Sequence, residues 1–398
     1  MAFGISKPRL SPIAVDFGAD ALKVLQIETD GEGGMSLVAA ACVAAPEAAR
    51  QDSVARSSFL SDTLKSVLRQ RPFRGKRAMI AIPAFQTLVH NFEIPACGDE
   101  DLSAQADLHL QTRLGLDPRR VVARHQSVGN VHRDGRSMTR VLTTAAPRET
   151  VMHYIELAQS AKLEVEGMHS EAACVVGGLS RVFSRRSDDT ERCVLYVDLG
   201  AVATKVALAQ GPQLRLARVA AVGGDAWTRS RSRRETLTFA EARLARIAEA
   251  SGARVEHPVG VGGKLDGPPA EANDAPWSGA ESDDRRGSRF AGAETEPPDG
   301  AACPSFKCLV DELQMTLRYY EGVEPDRPVS EVVFCGGEAN RLATCRALAK
   351  AVSLPGRFGD PFVRLQRDAA TRSSSFDPDA PAPAWAVALG LCLSEANL

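Results

Sequence analysis

The chain lacks the features that mark several common classes of protein. No apolar run approaches the roughly 20 residues that a membrane-spanning helix needs; the longest are Leu37 to Ala45 and Trp385 to Leu393. The N-terminus has no signal-peptide core, so the expectation is a cytoplasmic protein without direct membrane insertion. Neither sign of charge is in excess, with 48 basic against 50 acidic residues, so nothing draws the chain toward nucleic acid or an anionic lipid surface. Only 5% of the residues are aromatic. The one dense basic cluster, Arg229, Arg231, Arg233 and Arg234, has no interleaved aromatics to stack bases, and it reads as a solvated helix or loop face. The nine cysteines are scattered, and the nearest pair, Cys303 and Cys308, lacks C-x-x-C spacing. That fits neither a zinc site nor a disulfide framework, and points to a reducing compartment.

What is present is a repeated phrase. Ile13-Ala14-Val15-Asp16-Phe17-Gly18 runs on through Ala19-Asp20-Ala21 to Leu22-Lys23. Leu195-Tyr196-Val197-Asp198-Leu199-Gly200 runs on through Ala201-Val202-Ala203 to Thr204-Lys205-Val206. Each reads as a strand, a tight Asp-x-Gly turn and a second strand. Glycine lets the turn backbone approach a ligand, turn amides cradle phosphate oxygens, and a nearby carboxylate holds magnesium through its water shell. Two such hairpins facing each other would clamp one nucleotide.

With 398 residues the chain accommodates two or more domains. Three strands between Ile13 and Val43, a helix from Ser53 to Arg69 and a strand from Ala78 to Ile82 make the first region mixed α/β. The pattern then changes to a strand through Leu88 to Ile94, a helix from Asp101 to Leu114 and a strand through Val121 to Val128, which reads as an inserted module. Strand Thr139 to Ala145, helix Glu149 to Ala161 and segment Glu164 to His169 return to the α/β style. Strands Arg192 to Val197, Ala203 to Ala209 and Leu214 to Val222 then repeat the opening meander, so internal duplication is expected. From Val255 to Ala302 there are eight Gly, six Pro and ten acidic against four basic residues, a composition that cannot offset its ordering entropy and predicts a disordered loop. A helix from Ser305 to Glu321, strand Glu331 to Phe334, Gly336-Gly337 and a helix from Asn340 to Val352 follow. Tyr319, Tyr320 and Trp385 read as packing residues.

This order of elements resembles the actin-like ATPase superfamily, which includes actin, Hsp70, sugar kinases and FtsA, and within it the PilM family of type IV pilus assembly. The resemblance is carried by Phe3-Gly4 with Ile13 to Gln26, Val89 to Pro95, Ala145 to Glu149, Val197 to Gly200, Val222 to Asp225, Leu313 to Tyr320, Cys335 to Asn340, Asp360-Pro361-Phe362 and Ala386 to Leu393. It implies an α/β actin-like ATPase fold with two duplicated lobes around a nucleotide cleft and a small inserted α+β subdomain. Residues 1–83 and 132–185 would form the first lobe, 84–131 the insert, and 186–254 with 303–398 the second lobe. By position, Asp16 and Gly18 match the first phosphate loop and Lys23 a residue reaching the phosphates. Asp198, Gly200 and Thr204 match the second loop, with Gly223 and Gly224 at the cleft floor and Gly336 and Gly337 at the adenosine-contacting turn. ATP and magnesium are the implied cofactors, with Asp16 and Asp198 as magnesium ligands acting through water.

The resemblance further implies a cytoplasmic adaptor, peripheral to the inner membrane. Its partner would be the N-terminal peptide of a PilN-like bitopic inner-membrane protein, alongside other pilus inner-membrane components. Departures from the family pattern bear on catalysis. Ala19, Asp20 and Ala21 replace the usual hydroxyl residues of the first loop, and in the second loop only Thr204 carries one. No segment supplies a residue to orient an attacking water, so weak or no ATP hydrolysis is expected. A nucleotide-free scaffold and an active ATPase or kinase of the same fold stand as alternatives. A filament-forming scaffold would need a C-terminal amphipathic membrane helix, and Ala382 to Leu398 lacks the basic face of one.

Overall fold

The computed structural model describes residues 8–30, 33–183, 192–250, 289–290, 303–366 and 381–397. In chain order the first lobe contains β1 (Arg9–Leu10), β2 (Ile13–Phe17), β3 (Ala21–Thr29), β4 (Met35–Ala44), α1 (Glu47–Gln51), α2 (Ser53–Gln70) and β5 (Arg77–Ile82). Next come β6 (Leu88–Pro95), α3 (Asp99–Leu114), β7 (Val121–Arg133), β8 (Arg136–Pro147), α4 (Arg148–Ser160), β9 (Glu164–Ser170) and α5 (Glu171–Phe183). The second lobe follows with β10 (Cys193–Leu199), β11 (Thr204–Gln210), β12 (Gln213–Ala220), α6 (Gly224–Glu235), α7 (Phe239–Ala250), β13 (Arg289–Phe290), α8 (Pro304–Val323) and β14 (Val329–Cys335). It ends with α9 (Leu342–Ala351), β15 (Gly356–Phe358), β16 (Leu365–Gln366) and α10 (Ala386–Leu393).

The duplication is visible in the sheets. One has the order β16-β4-β3-β2-β5-β9 and the other β12-β11-β10-β14-β15-β13, so each contains an antiparallel three-strand meander continued by parallel strands. The central strands are buried on both faces, which is why they read as continuous apolar runs. Ile13, Val15 and Phe17 face outward onto α2 and α4, whereas Ala14 faces inward. In β10, Leu195 and Val197 face α8 and α9, and Val194 and Tyr196 face inward. Local signals set the outer helices. Asp52 caps α2 by accepting from the Ala55 amide at 2.7 Å, and Leu60, Leu64 and Val67 recur at helical spacing on its buried face.

The inner layer is shared. Helix α5 follows β9 of the first lobe but packs on β10 to β12 of the second, and α10 follows the second lobe but packs on β2, β3 and β5 of the first. The two helices cross against each other, with Val175, Leu179, Val387 and Leu391 in one apolar cluster that spans both sheets. The apolar C-terminal run noted above is this helix, buried from Ala386 to Cys392. No helix among the described residues is long and apolar enough to cross a membrane.

Several expectations change. The inserted sheet has the order β6-β8-β7, so its central strand is Arg136–Pro147. A boundary at 131 falls inside β7, and the module closes at Pro147. The helix expected from Asn340 to Val352 is a short 3-10 turn (Gly337–Asn340) followed by α9. The expected disordered loop lies outside the described residues except for Arg289–Phe290, whose backbone pairs antiparallel with β15. Phe3 and Gly4 also lie outside them. The insert touches the second lobe as well as the first: the Asn91 side chain donates to Ala217 O at 2.7 Å on edge strand β12, and Arg215 donates to Val128 O at 3.0 Å.

Candidate functional site

The two Asp-x-Gly hairpins face each other across a cleft of about 470 Å³ between the lobes. Their similarity is geometric as well as sequential. Asp16 stands opposite Lys23 in the β2–β3 register, and Asp198 stands opposite Lys205 in the β10–β11 register. Both aspartates lie two residues beyond an inward-facing neighbour, Ala14 or Tyr196, so strand alternation turns them into the inner layer. Lys23 Nζ lies 3.1 Å from Asp16 Oδ2, and Lys205 Nζ lies 2.8 Å from Asp198 Oδ2.

Glu171, the first residue of α5, completes the cluster. Its Oε2 is 3.4 Å from Lys205 Nζ and accepts from the Ala84 amide at 3.2 Å. Burial, with Asp16 and Asp198 nearby, pushes the Glu171 carboxyl above its usual range despite Lys205. Burial opposes the charge on both lysines, but their carboxylate partners outweigh it and hold both ammoniums above the ordinary lysine value. Sequence reasoning singled out Lys23 and missed Lys205, although both lie seven residues after their aspartate. Glu171 carried no local signal, because a helix that changes lobes delivers it.

The glycines divide into two groups. Gly18 and Gly200 form the tight turns: a Cβ on Gly200 would come 2.7 Å from Ala203 O and 3.2 Å from Lys205 Nζ, and one on Gly18 3.0 Å from Ala21 O. Gly336, at φ +92°, brings its turn against Leu199 O and Asp198 Oδ1, an approach only glycine permits, and Gly337 faces the cleft. Gly223 and Gly224 sit behind the second loop instead of lining the cleft. The Gly224 and Asp225 amides donate to Gly200 O and Ala201 O at 3.0 and 2.8 Å, so this helix start anchors the loop. Thr204 is likewise turned away, its hydroxyl donating to Val222 O at 2.7 Å.

Around the far end, Arg246 donates to Gly224 O at 2.7 Å and pairs with Glu338 at 2.5 Å, Arg341 pairs with Glu249 at 3.2 Å, and Ile247 and Leu342 add apolar surface. Arg231 is buried against Glu235 and Glu249 at 2.8 and 2.6 Å, so the basic cluster is in part an internal ion-pair network. At the mouth the lobes are tied together. Arg50 of α1 pairs with Asp20 and, at 2.6 Å, with Asp225 of the second lobe, while Arg243 of α7 also pairs with Asp20. The Arg50 side chain is only 6% exposed. Replacing it by Ala should weaken lobe closure by about 2 kcal/mol, the scale of charged hydrogen bonds, and enlarge the radius of gyration in X-ray scattering. Scattering that matches the wild type would show that the crossed helices alone fix closure.

A family model for the Type IV pilus assembly protein PilM matches residues 14–259, more than half of the chain. The chain belongs to this family. Among solved structures, the PilM-PilN type IV pilus biogenesis complex matches at 18% identity and a TM-score of 0.69, over 96% of this chain and 97% of that one. This likeness bears out the actin-like fold. More distant matches are the ethanolamine utilization protein EutJ from Carboxydothermus hydrogenoformans (11% identity, TM-score 0.46, 98% and 91% covered) and MreB5 of Spiroplasma citri bound to ADP (12%, 0.42, 95% and 94%). No curated protein sequence matches significantly. As a PilM family member the chain is a type IV pilus assembly protein.

Proposed function

We propose that this PilM family member is a nucleotide-binding adaptor that holds the N-terminal cytoplasmic peptide of a PilN-like bitopic inner-membrane protein. The observation that carries the nucleotide reading is the meeting of two like hairpins across one cleft, each presenting an ammonium beneath a glycine turn. Lys23 and Lys205, with the turns at Gly18–Ala21 and Gly200–Ala203, would hold the phosphates of ATP. Gly336, Gly337, Arg246, Arg341 and Ile247 would hold the adenosine end. The bound nucleotide supplies a polyanion that both lobes contact, so it favours the closed state over the open one and changes affinity for the partner. Hydrolysis is weak or absent in this reading, because each of the three carboxyls deep in the cleft, Asp16, Asp198 and Glu171, already faces a lysine ammonium, which leaves none of them free to orient an attacking water.

The PilN reading rests on family membership and on the likeness to a PilM-PilN complex. It is supported by exposed large apolar side chains on the inserted module and the turn leading into it, Phe85, Leu88, Leu108 and Leu114, the kind of surface that captures a peptide. Such capture would place the protein at the cytoplasmic face of the inner membrane through its partner. Two titrations test the reading. Calorimetry with a slowly hydrolysed ATP analogue should give micromolar binding, weakened about tenfold or more in Lys23→Ala; no binding by the wild type would leave a nucleotide-free scaffold. A PilN-like membrane protein should bind with its N-terminal segment and fail to bind without it, and equal binding in both cases would sink the adaptor claim.

A further inference from the structure

The family resemblance implies magnesium between Asp16 and Asp198, but the residues present do not fit that ion. Asp16 already faces Lys23 at 3.1 Å, and Asp198 faces Lys205 at 2.8 Å. Glu171, the third acid of the cluster, is shared with Lys205 at 3.4 Å. All five side chains are largely buried, with 14% exposure for Lys23 and 11% for Lys205 at most. A hydrated divalent ion placed between Asp16 and Asp198 would enter beside two poorly screened ammoniums, each already paired with one of the two aspartates it would need. Among the described residues, no group of three or more His, Cys, Asp or Glu side chains is arranged to hold a metal ion. The lysines also sit at the turns: a Cβ on Gly18 would come 3.5 Å from Lys23 Nζ, and one on Gly200 would come 3.2 Å from Lys205 Nζ.

We infer that Lys205, with Lys23, takes the place of the divalent cation, so that this cleft binds the phosphate chain of a nucleotide without a metal. The inference rests on the nucleotide reading above and specifies how it is met. A lysine ammonium has three donors. Lys205 directs donors at Asp198 and Glu171 and keeps one more, and Lys23 directs one at Asp16 and keeps two. Each can therefore bridge a fixed carboxylate and a phosphate oxygen, the part that a metal hydrate plays elsewhere. Asp16, Asp198 and Glu171 act as positioning residues for the two ammoniums.

The test is calorimetric titration of the full chain with ATP in magnesium and in EDTA, together with manganese titration of the free protein followed by electron paramagnetic resonance. The expected result is an ATP affinity in EDTA within about threefold of that in magnesium, and no manganese taken up by the protein. Lys205→Gln should then acquire a metal requirement, binding about tenfold more tightly or better in magnesium than in EDTA. A wild-type affinity that falls tenfold or more in EDTA, or manganese uptake that Asp198→Asn abolishes, overturns the inference. If Lys205→Gln does not fold, the wild-type comparison decides alone. If the wild type binds ATP in neither buffer, the nucleotide reading fails, and with it the proposed role of the ammoniums as phosphate cations, whereas a metal requirement refutes this inference and leaves nucleotide binding intact.

Discussion

Replacing Gly390 by Ala is expected to destabilise the protein by about 3 kcal/mol, and Gly177→Ala, in the facing helix, is not. Gly390 lies where α10 crosses α5, and a Cβ there would overlap the Cys174 backbone. From the other side, a Cβ on Gly178 would meet Gly390 N at 3.0 Å and Ala386 O at 3.1 Å. Neither neighbour is a flexible side chain that can swing away, so the helices themselves must separate. Separation would unpack the shared layer around Trp385 and Val175, which touches both sheets. Gly177, one residue along, meets nothing within 4 Å. There the substitution removes the conformational freedom of a helical glycine and should be neutral or stabilising by about 0.5–1 kcal/mol. Thermal unfolding of the two variants side by side checks the contrast; equal melting would mean that the crossing is looser than described. Because α5 and α10 exchange lobes, the damaged variant should lose both lobes together, visible as a single early transition.

Lys205→Met should cost about 3–5 kcal/mol near neutral pH, the scale for stranding a buried charge, and the loss should shrink in acid. With the ammonium gone, Asp198 and Glu171 are left in the inner layer without their shared counter-charge. Glu171 already has its folded pKa raised above the unfolded value, by burial first and by Asp16 and Asp198 next. Such a group leaves the folded state unpenalised below its unfolded pKa and penalises it as pH rises through the folded pKa. Removing Lys205 raises that folded pKa further. The gap in stability between wild type and variant should therefore narrow as pH falls from about 8 to about 5. In the wild type the raised Lys205 pKa works in the alkaline range: its contribution is present at neutral pH and is lost only as pH rises through the folded value. Denaturant melts at several pH values measure the gap, and a pH-independent gap would show that Glu171 does not take up the proton. Glu171→Gln placed on Lys205→Met should recover part of the loss.

The sequence alone determined much of this fold, because its signals are local. The two meanders, the Asp-x-Gly turns and the spacing of Asp16 to Lys23 and Asp198 to Lys205 are hairpin properties. Register within a hairpin follows from turn length and apolar alternation, and both are written in consecutive residues. The same locality gave the outer helices α2, α4 and α8, each with one apolar stripe and a polar back.

What failed to show itself in the sequence depends on contacts between distant segments. Helix α5 is buried along most of its length between the second sheet and α10, but its short segment carries two adjacent glycines, Gly177 and Gly178, which argue against a helix in the sequence, so Glu171 went unnoticed at its start. Strand β8 belongs to the inserted sheet because it pairs with both β6 and β7, a partnership that pattern alone does not reveal. Thr204 looked like a phosphate ligand until Val222 O took its hydroxyl, and Gly223 and Gly224 until the second loop's backbone closed against them, with Gly200 O accepting from the Gly224 amide. Asp20, out of place in a phosphate loop, is neutralised by Arg50 and Arg243, residues 30 and 223 positions away along the chain. The identity of the charged groups was fixed by the chain, but which charge faces which was decided only when the crossed helices brought the two lobes together, since ion pairing depends on distance in space and burial and not on position in sequence.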